Sequence, residues 1–121
     1  MHKLLPLAAL ALASAAPAEQ RVDVALSNFR FTPATIALHH GQPYLLHLTS
    51  HGGHSFAAKE FFAAATMPAA DRAKLAGGKV ELDDGESVDI HFVAPAPGNY
   101  RIKCTHFLHA GFGMTGAFVV R

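Results

Sequence analysis

In this chain apolar residues recur at every second position in several short runs, and any fold it adopts must bury those faces. Val22, Val24 and Leu26 share one face of residues 21–27, and Tyr44, Leu46 and Leu48 share one face of residues 43–49. Val88, Ile90 and Phe92 alternate with Ser87, Asp89 and His91. A period of two is the strand period, because successive side chains point to opposite faces of a sheet. Residues 35–38, 79–82 and 115–120 are shorter candidates. In a further run Tyr100, Ile102 and Cys104 put a thiol on the apolar face at a strand end. Turn chemistry separates the runs at residues 39–42, 83–85 and 95–98. Residues 57–76 break the pattern. Residues 57–65 are rich in helix formers, and Pro68 opens a second helical piece that Gly77-Gly78 ends. The expectation is an all-β fold, a β-sandwich of about seven strands with a short helical insertion at about 57–76.

A chain of 121 residues suits one domain, and with 50% hydrophobic and 16% charged residues it can pack a core. The first eighteen residues read differently from the rest. A short basic start, Met1-His2-Lys3, precedes an apolar run from Leu4 to Ala16, and Ala16-Pro17-Ala18 has small residues at its first and third places. That is the layout of a secretory signal peptide cleaved after Ala18, with a cut after Ala15 as the alternative. The run is shorter than the roughly 20 apolar residues that span a bilayer, so no membrane insertion is expected after cleavage. The expected organisation is a signal peptide over 1–18 and one exported, periplasmic domain over 19–121. Ten basic residues oppose nine acidic ones, and loss of Lys3 leaves the two signs balanced. No basic stripe points to nucleic acid.

The chain has one cysteine, Cys104, so it cannot form an internal disulfide. A buried inert thiol is the plain reading of a lone cysteine, but its neighbours point elsewhere. In Cys104-Thr-His-Phe-Leu-His109-Ala-Gly-Phe-Gly-Met114 a thiolate, an imidazole and a thioether are spaced so that one short loop can wrap a single ion. His54, where a glycine-containing loop meets a strand, is the natural fourth donor, with His51 its nearest rival. Two histidines and a cysteine with a weak axial methionine make the electron-transfer copper site, soft sulfur donors favouring Cu(I) and imidazole suiting both oxidation states. Zinc in a Cys-His-His site stays open, but gives the methionine no role.

In these residues the chain resembles the cupredoxin family, the small blue-copper proteins. The segment Gly98-Asn-Tyr100-Arg-Ile-Lys-Cys104 resembles the family's entry to the copper loop, Cys104, His109 and Met114 follow its loop pattern, and His54-Ser55-Phe56 lies about fifty residues upstream. The resemblance implies a Greek-key sandwich, one copper ion cycling between Cu(I) and Cu(II), and single-electron transfer with His109 as the exit route. It also implies a redox protein partner, a cytochrome or oxidase, for a monomeric carrier. There are two departures. Many members carry Asn directly after the first histidine ligand; Ser55 stands here, so the tie between ligand loops runs through a hydroxyl or is absent. His106 is a spare imidazole within the loop, open to a supporting, surface or competing-ligand role, the last giving a more tetragonal, greener site. Phe107, Leu108 and Phe112 form either plain packing or an apolar rim for partner docking.

A copper tolerance, sequestration or delivery protein using the same four residues is the competing function, motivated by the many histidines, His39, His40, His47 and His91 among them. An enzyme is not expected. Multicopper oxidases and copper nitrite reductases need further histidine-rich motifs and a second domain or subunit interface, and a binuclear centre needs a second cysteine.

Overall fold

The computed structural model describes residues 3, 4, 6 and 17–121, so most of the expected signal peptide lies outside the described residues. Two sheets face each other. The first, in the order β2-β1-β4-β7, comprises β1 (Gln20–Ser27), β2 (Arg30–Thr32), β4 (Pro43–Ser50) and β7 (Ser87–Val93). The second, in the order β3-β9-β8-β5-β6, comprises β3 (Thr35–Leu38), β5 (His54–Ala57), β6 (Lys79–Leu82), β8 (Gly98–Lys103) and β9 (Thr115–Val120). β1 runs parallel to β4 and β3 parallel to β9, while the other pairs are antiparallel. Among the described residues nine strands therefore stand where about seven were expected. The additional ones are β2, three residues long, and β5, in which His54, Ser55 and Phe56 are all buried and no alternation shows.

The period-two runs bury the faces that their spacing assigns. Val24 and Leu26 of β1, Tyr44, Leu46 and Leu48 of β4, and Ile90 and Phe92 of β7 line the core opposite Ile36, Ile102, Phe118 and Val120. The helical insertion resolves into α1 (Lys59–Ala64) and α2 (Ala69–Arg72), within the expected range. α1 closes the sandwich, because Phe61 and Phe62 are fully buried. Phe61 stacks on Phe118 with ring centroids 3.8 Å apart. α2 in turn fixes α1: Arg72 donates Nη1–H to the Phe62 carbonyl at 3.1 Å and Nη2–H to the Ala65 carbonyl at 3.0 Å, satisfying acceptors at the helix C-terminus.

Packing requires glycine at position 116. A Cβ on Gly116 of β9 would lie 2.4 Å from the Ala34 carbonyl oxygen, which also accepts from the Ala117 amide. Gly116→Ala is expected to push the chain before β3 away from β9 and to cost about 1–3 kcal/mol. Urea unfolding of the copper-free protein checks this, and an unchanged midpoint would show that the backbone yields freely.

The sheets bring β5 and β8 together at one pair, Ala57↔Lys103. The start of β5 and the chain leaving β8 thus lie side by side at one end of the sandwich, and the donor residues gather there.

Candidate metal centre

Three of the four expected donors converge. One ligand atom from each of His54, Cys104 and His109 lies within 4.8 Å of the others. His54 Nδ1 is 3.2 Å from His109 Nδ1, and Cys104 Sγ is 3.4 Å from His109 Nδ1. Donors bonded to one ion at about 2.0–2.3 Å stand roughly 3–4 Å apart, so these separations fit a single metal ion. Each donor is placed by a different part of the fold. His54 opens β5, Cys104 follows β8 directly, and His109 heads the 3₁₀ turn Ala110–Phe112.

The hydrogen bonds orient the donors. His54 Nε2–H donates to the His51 carbonyl at 3.0 Å, leaving the Nδ1 lone pair directed at the cluster. Burial holds the His54 imidazole below the usual histidine range, opposed by the His51 carbonyl and helped by nearby His109 and His106. Burial thus favours the neutral ring, the form that can ligate. His51 itself is exposed and contributes its backbone, not its ring.

Cys104 is buried and its sulfur accepts the Ser55 amide at 3.4 Å. Ser55 also answers the question left by its replacing asparagine. Its Oγ accepts the Thr105 amide at 2.7 Å and lies 2.8 Å from Thr105 Oγ1. The tie between the two ligand segments exists and runs through a hydroxyl. Lys79 donates to Thr105 Oγ1 at 3.2 Å, extending it to β6.

Met114 is fully buried at the end of the loop. Its amide donates to the His109 carbonyl at 3.0 Å, and its own carbonyl accepts the Cys104 amide at 3.1 Å. The 104–114 loop is thereby closed on itself. His106 lies beside the cluster without joining it: its Nε2 is 2.7 Å from Glu81 Oε2, and its ring centroid is 5.2 Å from that of His109. Phe107, Leu108 and Phe112 are 88%, 53% and 62% exposed, so the apolar residues of the loop face outward. Phe29, in the turn between β1 and β2, stands against His109 and against Phe112. Sequence reasoning missed it, although a large aromatic in the two-residue turn Asn28-Phe29 was a usable signal.

Residues 18–121 match the family described as copper binding proteins, plastocyanin/azurin family. The chain belongs to that family. No curated protein matches the chain. Among solved structures it is similar to dithionite-reduced auracyanin from the photosynthetic bacterium Roseiflexus castenholzii, with a TM-score of 0.62 and 23% identity over 84% of this chain and 97% of that one. Auracyanin B aligns with a TM-score of 0.63 and 23% identity over 87% and 90% of the two chains. Auracyanin A, a "blue" copper protein from Chloroflexus aurantiacus, aligns at 0.61 and 16% identity over 86% and 100%. At these identities the likeness concerns the fold, and the fold is that of a cupredoxin. Copper is the cofactor of this cupredoxin, and the donor set of imidazole and thiolate suits it. Members of the family are typically extracellular or periplasmic, and among the described residues no helix is long and apolar enough to cross a membrane.

Proposed function

We propose that this cupredoxin is a periplasmic one-electron carrier, exported by cleavage after Ala18 and working as a monomer over residues 19–121. His54, Cys104 and His109 would hold one copper ion, with Met114 as the axial donor. The observation that carries the reading is the convergence of His54 Nδ1, His109 Nδ1 and Cys104 Sγ within one hydrogen-bonded frame. Bound copper supplies the Cu(I)/Cu(II) couple.

The residues of the chain do the rest. Ser55 and Thr105 lock the two ligand segments together, and the closed 104–114 loop fixes the spacing from Cys104 to Met114. A frame that cannot relax differently for the two oxidation states keeps the cost of electron exchange low. His109 is only partly buried and is bordered by the exposed Phe107, Leu108 and Phe112, which supports electron exit there toward a cytochrome or oxidase docked on an apolar rim. With Met114 as a fourth donor the ion would have no open position for a substrate, which supports a carrier rather than an enzyme. His47, His91 and His106 are each bonded to a carboxylate (Asp89, Glu19 and Glu81) and, among the described residues, do not gather into a second donor group. That favours electron transfer over copper storage.

The test is electron self-exchange, read from NMR line broadening in mixtures of the Cu(I) and Cu(II) forms. Rapid exchange supports the carrier, whereas slow exchange beside tight copper binding points to copper handling. Met114→Gln is expected to lower the reduction potential by roughly 60–120 mV, a ten- to hundredfold shift in the redox equilibrium, while the colour persists. If potential and spectrum both stay unchanged, Met114 is not a ligand.

A further inference from the structure

Among the described residues two that are not glycine have a left-handed backbone, Phe29 at φ 59° and Leu108 at φ 63°. For bulky side chains that conformation is costly, and such strain collects where a structure needs a particular side-chain placement. Both residues border His109. Leu108 precedes it in the chain, and the Phe29 ring meets the His109 imidazole edge to face, with centroids 5.3 Å apart and planes at 88°. Phe29 also packs on Phe112, centroid to centroid 5.1 Å, the last residue of the 3₁₀ turn that His109 heads.

The turn itself does not ask for phenylalanine. Ser27 pairs with Arg30, so Asn28 and Phe29 form a two-residue hairpin loop, and a left-handed place in such a loop is best filled by glycine or asparagine. Phe29 is 42% exposed, so core burial does not account for it either. What its strained backbone achieves is to lay an aromatic ring across the gap between the β1–β2 turn and the 104–114 loop, onto the donor residue that is least buried.

We propose that Phe29 is a positioning residue for His109: its ring, held by the left-handed turn and braced by Phe112, fixes the imidazole plane so that Nδ1 stays directed at the cluster. The His54 imidazole is held by its bond to the His51 carbonyl, whereas the His109 ring has Nδ1 beside His54 and Cys104 and is flanked by the rings of His54, His106 and Phe29, of which Phe29 meets it edge to face. The assignment extends the copper reading and rests on it only where copper release is measured.

The experiment compares Phe29→Gly, Phe29→Leu and Phe29→Tyr with the unaltered domain. In the copper-free protein, carbon relaxation of the His109 ring is expected to show an ordered imidazole in the unaltered and Tyr forms, and a mobile one in the Gly and Leu forms. Phe29→Gly relieves the backbone strain, so its thermal midpoint is expected to be no lower, which separates a loosened His109 from general unfolding. In the copper-loaded protein, transfer to a chelator is expected to be about two- to tenfold faster for Gly and Leu and unchanged for Tyr, the range an aromatic pair accounts for. A His109 ring in the Gly form as ordered as in the unaltered protein overturns the assignment, whatever copper does. So does an unchanged release rate from a protein whose copper is bound through His109. Should copper bind without His109, the copper reading fails by itself, and the copper-free measurement still decides the role of Phe29.

Discussion

Replacing Phe61 with alanine is expected to lower the stability of the copper-free domain by about 3–5 kcal/mol, the usual range for deleting a buried aromatic side chain. Phe61 has no exposed surface and stacks on Phe118 at 3.8 Å with planes inclined by 16°. Its edges meet Phe92 at 5.1 Å and Tyr100 at 5.5 Å, so one ring joins α1 to β7, β8 and β9. Collapse around the missing ring is restricted, because Arg72 anchors the carbonyls of Phe62 and Ala65 and keeps α1 in place. A domain of this size has about 5–15 kcal/mol in total, so the loss is a large fraction of it. Urea unfolding of copper-free protein measures the effect without the added stability of a bound metal. A change below about 1 kcal/mol would mean that the helical insertion merely covers the sandwich. The site would be affected as well. Phe56, two residues after His54, packs on Phe118 at 5.8 Å and on Phe62 at 6.2 Å, so loosening this cluster loosens the strand that presents His54.

Cys104→Ser is expected to abolish the intense thiolate-to-copper absorption of the Cu(II) form and to weaken copper binding by more than about 100-fold. That is beyond the 10- to 100-fold that losing a hydrogen bond around a ligand costs. The size follows from the donor set: without the thiolate the site retains two imidazoles and, as proposed, one thioether, and only the sulfur anion offsets the charge of the ion. Folding should survive. Serine is slightly smaller, and the Ser55 amide and hydroxyl that now face Cys104 Sγ at 3.4 and 3.8 Å can satisfy a buried hydroxyl. Copper-free protein with an unchanged unfolding midpoint, together with a colourless Cu(II) form, is the expected pair of results. A variant that keeps the band would place the chromophore elsewhere.

The strands that sequence reveals are those with one face in the core and one in water, since only they alternate. β1, β4 and β7 do so, and their buried residues are those that the spacing marks. β5 is covered on both faces and β2 has just three residues, so neither carries a readable period. The donor loop was legible because its residue types are few and chemically specific, and the cluster of His54 with Cys104 and His109 follows. What spacing could not reveal is how the loops are tied. Ser55 and Thr105 are fifty residues apart, and their hydrogen bonds depend on the β5–β8 pairing. His106 is open in sequence to a supporting, surface or competing-ligand role, and Glu81 of β6 holds it at 2.7 Å. The role of Phe29 depends likewise on a contact between distant turns.

One copper ion bound by the Cys104 thiolate and the Nδ1 atoms of His54 and His109 is the arrangement proposed for this site. X-ray absorption at the copper edge of the loaded domain measures that donor set directly. The expected inner shell is one sulfur and two imidazole nitrogens, with the sulfur lost in Cys104→Ser. A shell of nitrogen and oxygen alone in the unaltered protein would contradict it.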